Sequence, residues 1–122
     1  MSESDYDEGM KVRREVLGDE HVDHAIEQTT PMTAAFQEFI TRYAWGGVWS
    51  REGLDRRTRS AITLAVLTAL GREHELAPHL HAARRNGLSD DEIGEVLLHT
   101  GIYAGAPAAN SAFAIAQRAL SE

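Results

Sequence analysis

Glu75 and His79 lie four residues apart in a stretch whose apolar spacing predicts a helix over 73–86, so they share one helix face. Imidazole changes charge nearer neutrality than any other unperturbed side chain, and a carboxylate one turn away favours its protonated form. The pair suits proton transfer, and it is equally an ordinary helix-surface contact. A second chemistry lies in the arginines. Residues 42–85 hold eight arginines, no lysine and four acids, in a chain whose net charge is −7. Arginine grips planar carboxylates in a bidentate fork, so a small anionic ligand fits this pattern better than a polyanion. Arg51, in Trp49-x-Arg51, is the first candidate for such a clamp; Glu52 or Asp55 is its alternative partner. Arg56, Arg57 and Arg59 crowd the first turn of a predicted helix, where positive charge opposes the helix dipole. They call for another partner, either a ligand or an acidic patch. The histidines form no ligand set. His79 and His81 point roughly 200° apart on a helix, and His21-x-x-His24 lies in a polar stretch. No metal site is expected.

The elements that must position these residues read as helices. The 122 residues suit one domain over 1–122. No run of 18 apolar residues is present, and the acidic start MSESDYDEG is the reverse of a signal peptide, so a cytoplasmic protein is expected. The negative charge argues against nucleic acid and anionic membrane as partners. Cysteine is absent, which removes disulfides, thiolate ligands and thiol nucleophiles.

Residues 6–17 carry Met10, Val12, Val16 and Leu17 at helical spacing, and Gly18 stops them. A short helix over 20–28 follows. Thr30-Pro31 opens an amphipathic helix over 31–44 with Met32, Phe36, Phe39, Ile40 and Tyr43 on one side. Three glycines between Trp45 and Gly53 predict a loop carrying two tryptophans. Asp55 caps a helix over 56–70 that is apolar almost all round after its charged start, the pattern of a buried central helix. In the helix over 73–86, Leu76, Leu80, Ala83 and Gly87 form the core stripe. Glu75 and His79 lie on one border of that stripe and His74, His81 and Arg85 on the other. Ser89 to Glu92 is a capping box opening a helix through Tyr103. Gly105-Ala106-Pro107 breaks it, and an Ala-rich helix runs from Ala108 to Leu120. No segment alternates like a strand, so the fold is all-α.

The runs WGGVWSREGLDRRTRSAITLAVLTALGRE (45–73) and HLHAARRNGLSDDEIGEVLLHTGIYAGAPAANSAF (79–113), with VRREVLGDEHVD (12–23), resemble the carboxymuconolactone decarboxylase family over nearly the whole chain. The resemblance implies an alkylhydroperoxidase-like fold: about six helices around a central antiparallel pair. The peroxidase branch of that superfamily uses Cys-x-x-Cys-x-x-x-His. Here Arg72 and Glu75 stand in the cysteine places and His79 in the histidine place, so peroxidase chemistry is excluded. Ser60 occupies the place of that branch's relay glutamate. His74 and His81 depart from the decarboxylase pattern and take no role from it.

The substrate implied by the resemblance is 4-carboxymuconolactone, an unsaturated five-membered lactone with two carboxylates. It would be converted to the β-ketoadipate enol-lactone in the protocatechuate branch of aromatic catabolism. The electron pair left by departing CO2 runs through the ring alkene to the lactone carbonyl, so the substrate is its own sink and no cofactor is expected. The protein must hold carboxylates, donate hydrogen bonds to the oxyanion and deliver a proton to ring carbon. On this reading His79 donates the proton and Glu75 supports it. Arg51, with Arg59 in reserve, holds the retained carboxylate. Trp45 and Trp49 offer apolar surface to the departing one, or simply pack in the core. Tyr103 and Asn110 are candidate donors to the lactone oxygen, or satisfied buried polar groups. His99 faces either core or cavity. The resemblance also implies a ring-like homo-oligomer such as a hexamer. The alternatives are a non-catalytic assembly or binding module of the same fold, or a lyase or isomerase acting on a related lactone.

Overall fold

Local capping chemistry divides the chain into helices. The computed structural model describes residues 3–121; among them are seven α-helices, one π-helix and no strand. The chain divides between Leu54 and Asp55 into two compact units. No helix among the described residues is long and apolar enough to cross a membrane.

The first unit holds α1 (Glu3–Leu17), α2 (Asp19–Glu27), α3 (Ala34–Ile40) and a π-helix (Thr41–Trp49). Gly18 turns the chain between α1 and α2 at φ 92, a left-handed value that suits glycine. Arg14 then fixes α2 by reaching Asp19 at 3.1 Å and Asp23 at 2.8 Å. The expected helix over 31–44 is real but differently built. Thr30 to Thr33 make a turn in which the Thr30 carbonyl accepts from the Thr33 and Ala34 amides. The α-helix starts only at Ala34, and at Thr41 it passes into i→i+5 bonding. Residues 45–49, expected as loop, are therefore helical.

Tertiary packing explains that outcome. Trp45 is buried with Val12 and Val16 of α1, and Trp49 stacks on it with ring centroids 5.2 Å apart. A side-chain carbon on Gly9 would collide with the Thr41 carbonyl, and one on Gly46 would lie 2.6 Å from the Asp5 carbonyl oxygen. The glycines let the backbones of α1 and the π-helix touch. Burial of the aromatic outweighs their low helix propensity. The apolar stripe of α3 is not core in this unit: no α3 residue is buried, and Met32 is 93% exposed.

The second unit holds α4 (Arg56–Leu70), α5 (Glu73–Arg85), α6 (Asp90–Ala104) and α7 (Ala106–Leu120). Asp55 caps α4 by accepting from the Thr58 amide at 2.7 Å. Gly71 closes α4 in the left-handed conformation. Ser89 and Glu92 form the reciprocal capping box that starts α6. α4 packs on α5 and α6, and α7 on the same two helices. Leu64, Leu76, Leu80, Ile93, Leu97, Ala112 and Ala116 fill the space among them.

One expectation fails here. α4 is not buried all round: Ser60, Leu64 and Thr68 face inward, while Ile62, Val66 and Leu70 are exposed. Its apolar content serves two faces, only one of which this unit covers. The Arg-rich first turn also finds a structural answer, since Arg57 pairs with Glu92 across to α6.

Candidate active site

Glu75 and His79, the pair expected to carry the proton chemistry, both lie on α5. Leu76, Leu80 and Ala83 bury the inner face of the helix, as the stripe requires. His79, on the border of that stripe, is half-buried; Glu75, one turn earlier, is exposed and makes no hydrogen bond or ion pair among the described residues. The two share a helix face. Pro78 has no amide hydrogen, so it removes the helical bond that the His74 carbonyl would accept, one turn before Pro78 itself. His74, His81 and Arg85, expected on the opposite border, are exposed and lie on the face of the helix away from that stripe.

Tyr103 and Asn110 are exposed, Tyr103 by 82%, so neither is a satisfied buried polar group. Tyr103 stacks on His99 at 5.3 Å. With Ala65, Val66, Ala69 and Thr100, these two rings line an open cavity of about 470 Å³ between α4 and α6. His99 therefore faces a cavity, not the core. Arg59 is half-buried on α4. Ser60, below it, is buried and accepts from the Asn86 side chain at 3.0 Å, a contact that ties α4 to the end of α5.

Arg51, Trp45 and Trp49 belong to the first unit. Arg51 is exposed just beyond the π-helix, and its amide donates to the Val48 carbonyl at 3.1 Å. Trp45 is core, while Trp49 is half-buried at the edge of the same cluster. π-Helices are rare and cluster at functional sites. This one ends two residues before Arg51.

Charge counting along the sequence overlooked Arg13. It is only 6% exposed, although arginine is almost never fully buried unless paired. It donates to Thr41 Oγ1 at 3.2 Å and to Gln37 Oε1 at 3.1 Å, and its Nε has no hydrogen-bond partner. Burial holds this guanidinium below the usual arginine range, with Tyr6 acting against that shift and Arg14 with it. The imidazole of His21 is lowered in turn, first by burial, then by Arg13 and His24. The signal was present in the spacing. Gly9, Val12 or Arg13, and Val16 recur at three to four residues, which sets Arg13 on the inner face of α1.

Residues 34–118 match the carboxymuconolactone decarboxylase family. The chain is 49% identical to a 4-carboxymuconolactone decarboxylase of Acinetobacter baylyi over 98% of its own length and 90% of that protein. It is 42% identical to a nitrosuccinic acid decarboxylase of Metarhizium robertsii, covering 96% of this chain and 82% of the relative. A third relative, an uncharacterized 15.0 kDa protein of Paracoccus denitrificans, is 31% identical over 84% of this chain and 77% of its own. With the family match spanning most of the second unit and these identities running through both, the chain belongs to the carboxymuconolactone decarboxylase family.

Proposed function

We propose that this protein decarboxylates 4-carboxymuconolactone to the enol-lactone without a cofactor. The 49% identity to the Acinetobacter decarboxylase over nearly the whole chain carries this reading. The bond from the ring carbon to its carboxylate breaks and CO2 departs. The electron pair moves through the ring alkene onto the lactone oxygen, then returns to bond a proton at the carbon beside the carbonyl. Atoms and charge balance with one proton supplied. His79 is the donor on this reading, held by the Leu76–Leu80 face of α5, and Glu75 acts through it. Arg51 holds the carboxymethyl group that stays; clamping the leaving carboxylate would stabilise the ground state and slow the reaction. Arg59 is the reserve clamp. Tyr103 and Asn110 supply donors to the lactone oxygen, and Trp49, with Trp45 behind it, supplies apolar surface.

The Metarhizium relative favours a second substrate class for the same machinery. In nitrosuccinic acid the nitro group takes the electron pair that the lactone carbonyl takes above, and again a second carboxylate remains. Both reactions ask the protein for a carboxylate clamp, oxyanion donors and a carbon acid.

The proposal extends to a cytoplasmic homo-oligomer working in aromatic catabolism. Ile62, Val66 and Leu70 of α4, with Leu98 and Ile102 of α6, are exposed in the single chain, which supports burial against further copies. Incubating the purified, chelator-treated protein with the dicarboxylated lactone and measuring CO2 tests the function. One CO2 per lactone consumed, at a rate set by enzyme concentration, is expected. Activity abolished by chelation and restored by zinc would overturn the cofactor-free mechanism.

A further inference from the structure

A buried cation needs an anion, and Arg13 has none among the described residues. Its two hydrogen-bond partners among the described residues, Thr41 and Gln37, are neutral, and its Nε has no partner there. The surrounding segment is rich in acids, with nine in residues 1–28, so a carboxylate partner lay within easy reach of the sequence. Instead, the titratable groups that act on Arg13 are the Tyr6 phenol and the Arg14 guanidinium, neither of them a carboxylate, and Arg13 itself acts on His21. Arg13 lines a cavity of about 760 Å³ within the first unit, a volume in the range of small-molecule sites. Met10 and Ile26 give it apolar wall. Two acids also line it. Glu38 is tied to Arg42 at 3.1 Å, and Asp7 is exposed.

We infer that this cavity is a binding site for a small carboxylate, received by the Arg13 guanidinium, which Gln37 and Thr41 hold in orientation. The site lies wholly in the first unit; only its occupation by a substrate carboxylate, with Arg13 then in the role given to Arg51, rests on the decarboxylase reading. Two sources share this chemistry: a carboxylate of the substrate, or a separate carboxylate effector.

The test is calorimetric titration of the full chain with succinate, with neutral succinamide as control, alongside NMR titration of the His21 ring. Succinate should bind and succinamide should not. Bound succinate should move the His21 titration to higher pH, because the anion offsets the Arg13 charge that helps to hold it down. Arg13→Lys keeps the charge but loses the planar fork, and should weaken succinate binding roughly 10-fold to 100-fold. Inhibition of turnover that is competitive identifies the substrate's own carboxylate; non-competitive inhibition identifies an effector. An unmoved His21 at saturating succinate would overturn the site. So would binding that is equal in wild type and Arg13→Lys. The His21 titration on wild-type protein decides the matter even if Arg13→Lys does not fold.

Discussion

His79 is half-buried beside the leucines that anchor α5, which limits its motion while leaving one side open. Protonation at carbon is slow, so a positioned acid is worth roughly 10²–10⁴-fold in rate. His79→Gln should lower kcat on that scale with an unchanged unfolding midpoint, because glutamine keeps a polar side chain of similar reach. Glu75→Gln should cost less, and the double variant should cost less than the product of the two. Steady-state kinetics of the three variants checks this; full additivity would reduce the pair to neighbours on a helix surface. Arg51→Lys replaces a fork with a point charge and should chiefly raise KM. An unchanged KM in Arg51→Ala would move the clamp to Arg59 or Arg85.

At the scale of elements, the backbones of α1 and the π-helix come together at Gly9 and Gly46. Gly9→Ala places a methyl against a carbonyl that belongs to a helix and cannot swing aside. Overpacking of this kind costs about 1–3 kcal/mol, so a urea titration should show a lower midpoint. In the second unit, Asp55 caps α4 and Asp90 accepts a two-pronged ion pair from Arg84, with both contacts at 2.7 Å. The Thr58 amide holds the Asp55 carboxyl below the usual range, and Arg84 does the same for Asp90. Lowered carboxyl values mean that the unfolded chain takes up protons first. Their stabilisation is therefore complete above the ordinary aspartate value of about 3.9 and is lost as pH falls through the lowered values. Asp90→Asn should melt below wild type at neutral pH, and the two melting temperatures should converge as the solution is acidified past about pH 4. These caps were legible in the sequence because capping is local chemistry: Asp55, Gly71 and Ser89-x-x-Glu92 announce themselves within a turn. The π-helix was not. Trp-Gly-Gly reads as loop by propensity, and only the arrival of α1, some 35 residues earlier in the chain, makes glycine the residue that the helix needs.

For the whole molecule, the placement of apolar residues is the feature that the helical periodicity described only in part. It marked an apolar stripe on the segment that holds α3 and read α4 as buried all round, because periodicity carries no information about what covers a face. Met32 in the turn before α3, Phe36 and Phe39 on α3, and Ile62, Val66 and Leu70 on α4, are exposed in the single chain. Arg13 illustrates the converse: counted as one of three bases in an acidic segment, it proves to be buried. The exposed faces predict that sedimentation will show a species several times the 13.4 kDa of one chain. Ile102→Glu, on an α6 face expected at an interface, should shift it toward smaller species. The central claim is a decarboxylation in which an enzyme-held acid protonates ring carbon. The most direct measurement is NMR of the reaction run in D2O with the chelator-treated protein and 4-carboxymuconolactone. The account predicts one CO2 released and one deuterium, on a single face, at the carbon beside the lactone carbonyl, with His79→Gln slowing product formation. Lactone consumed no faster than without protein, or product with deuterium scrambled over both faces of that carbon from its first appearance, would contradict it.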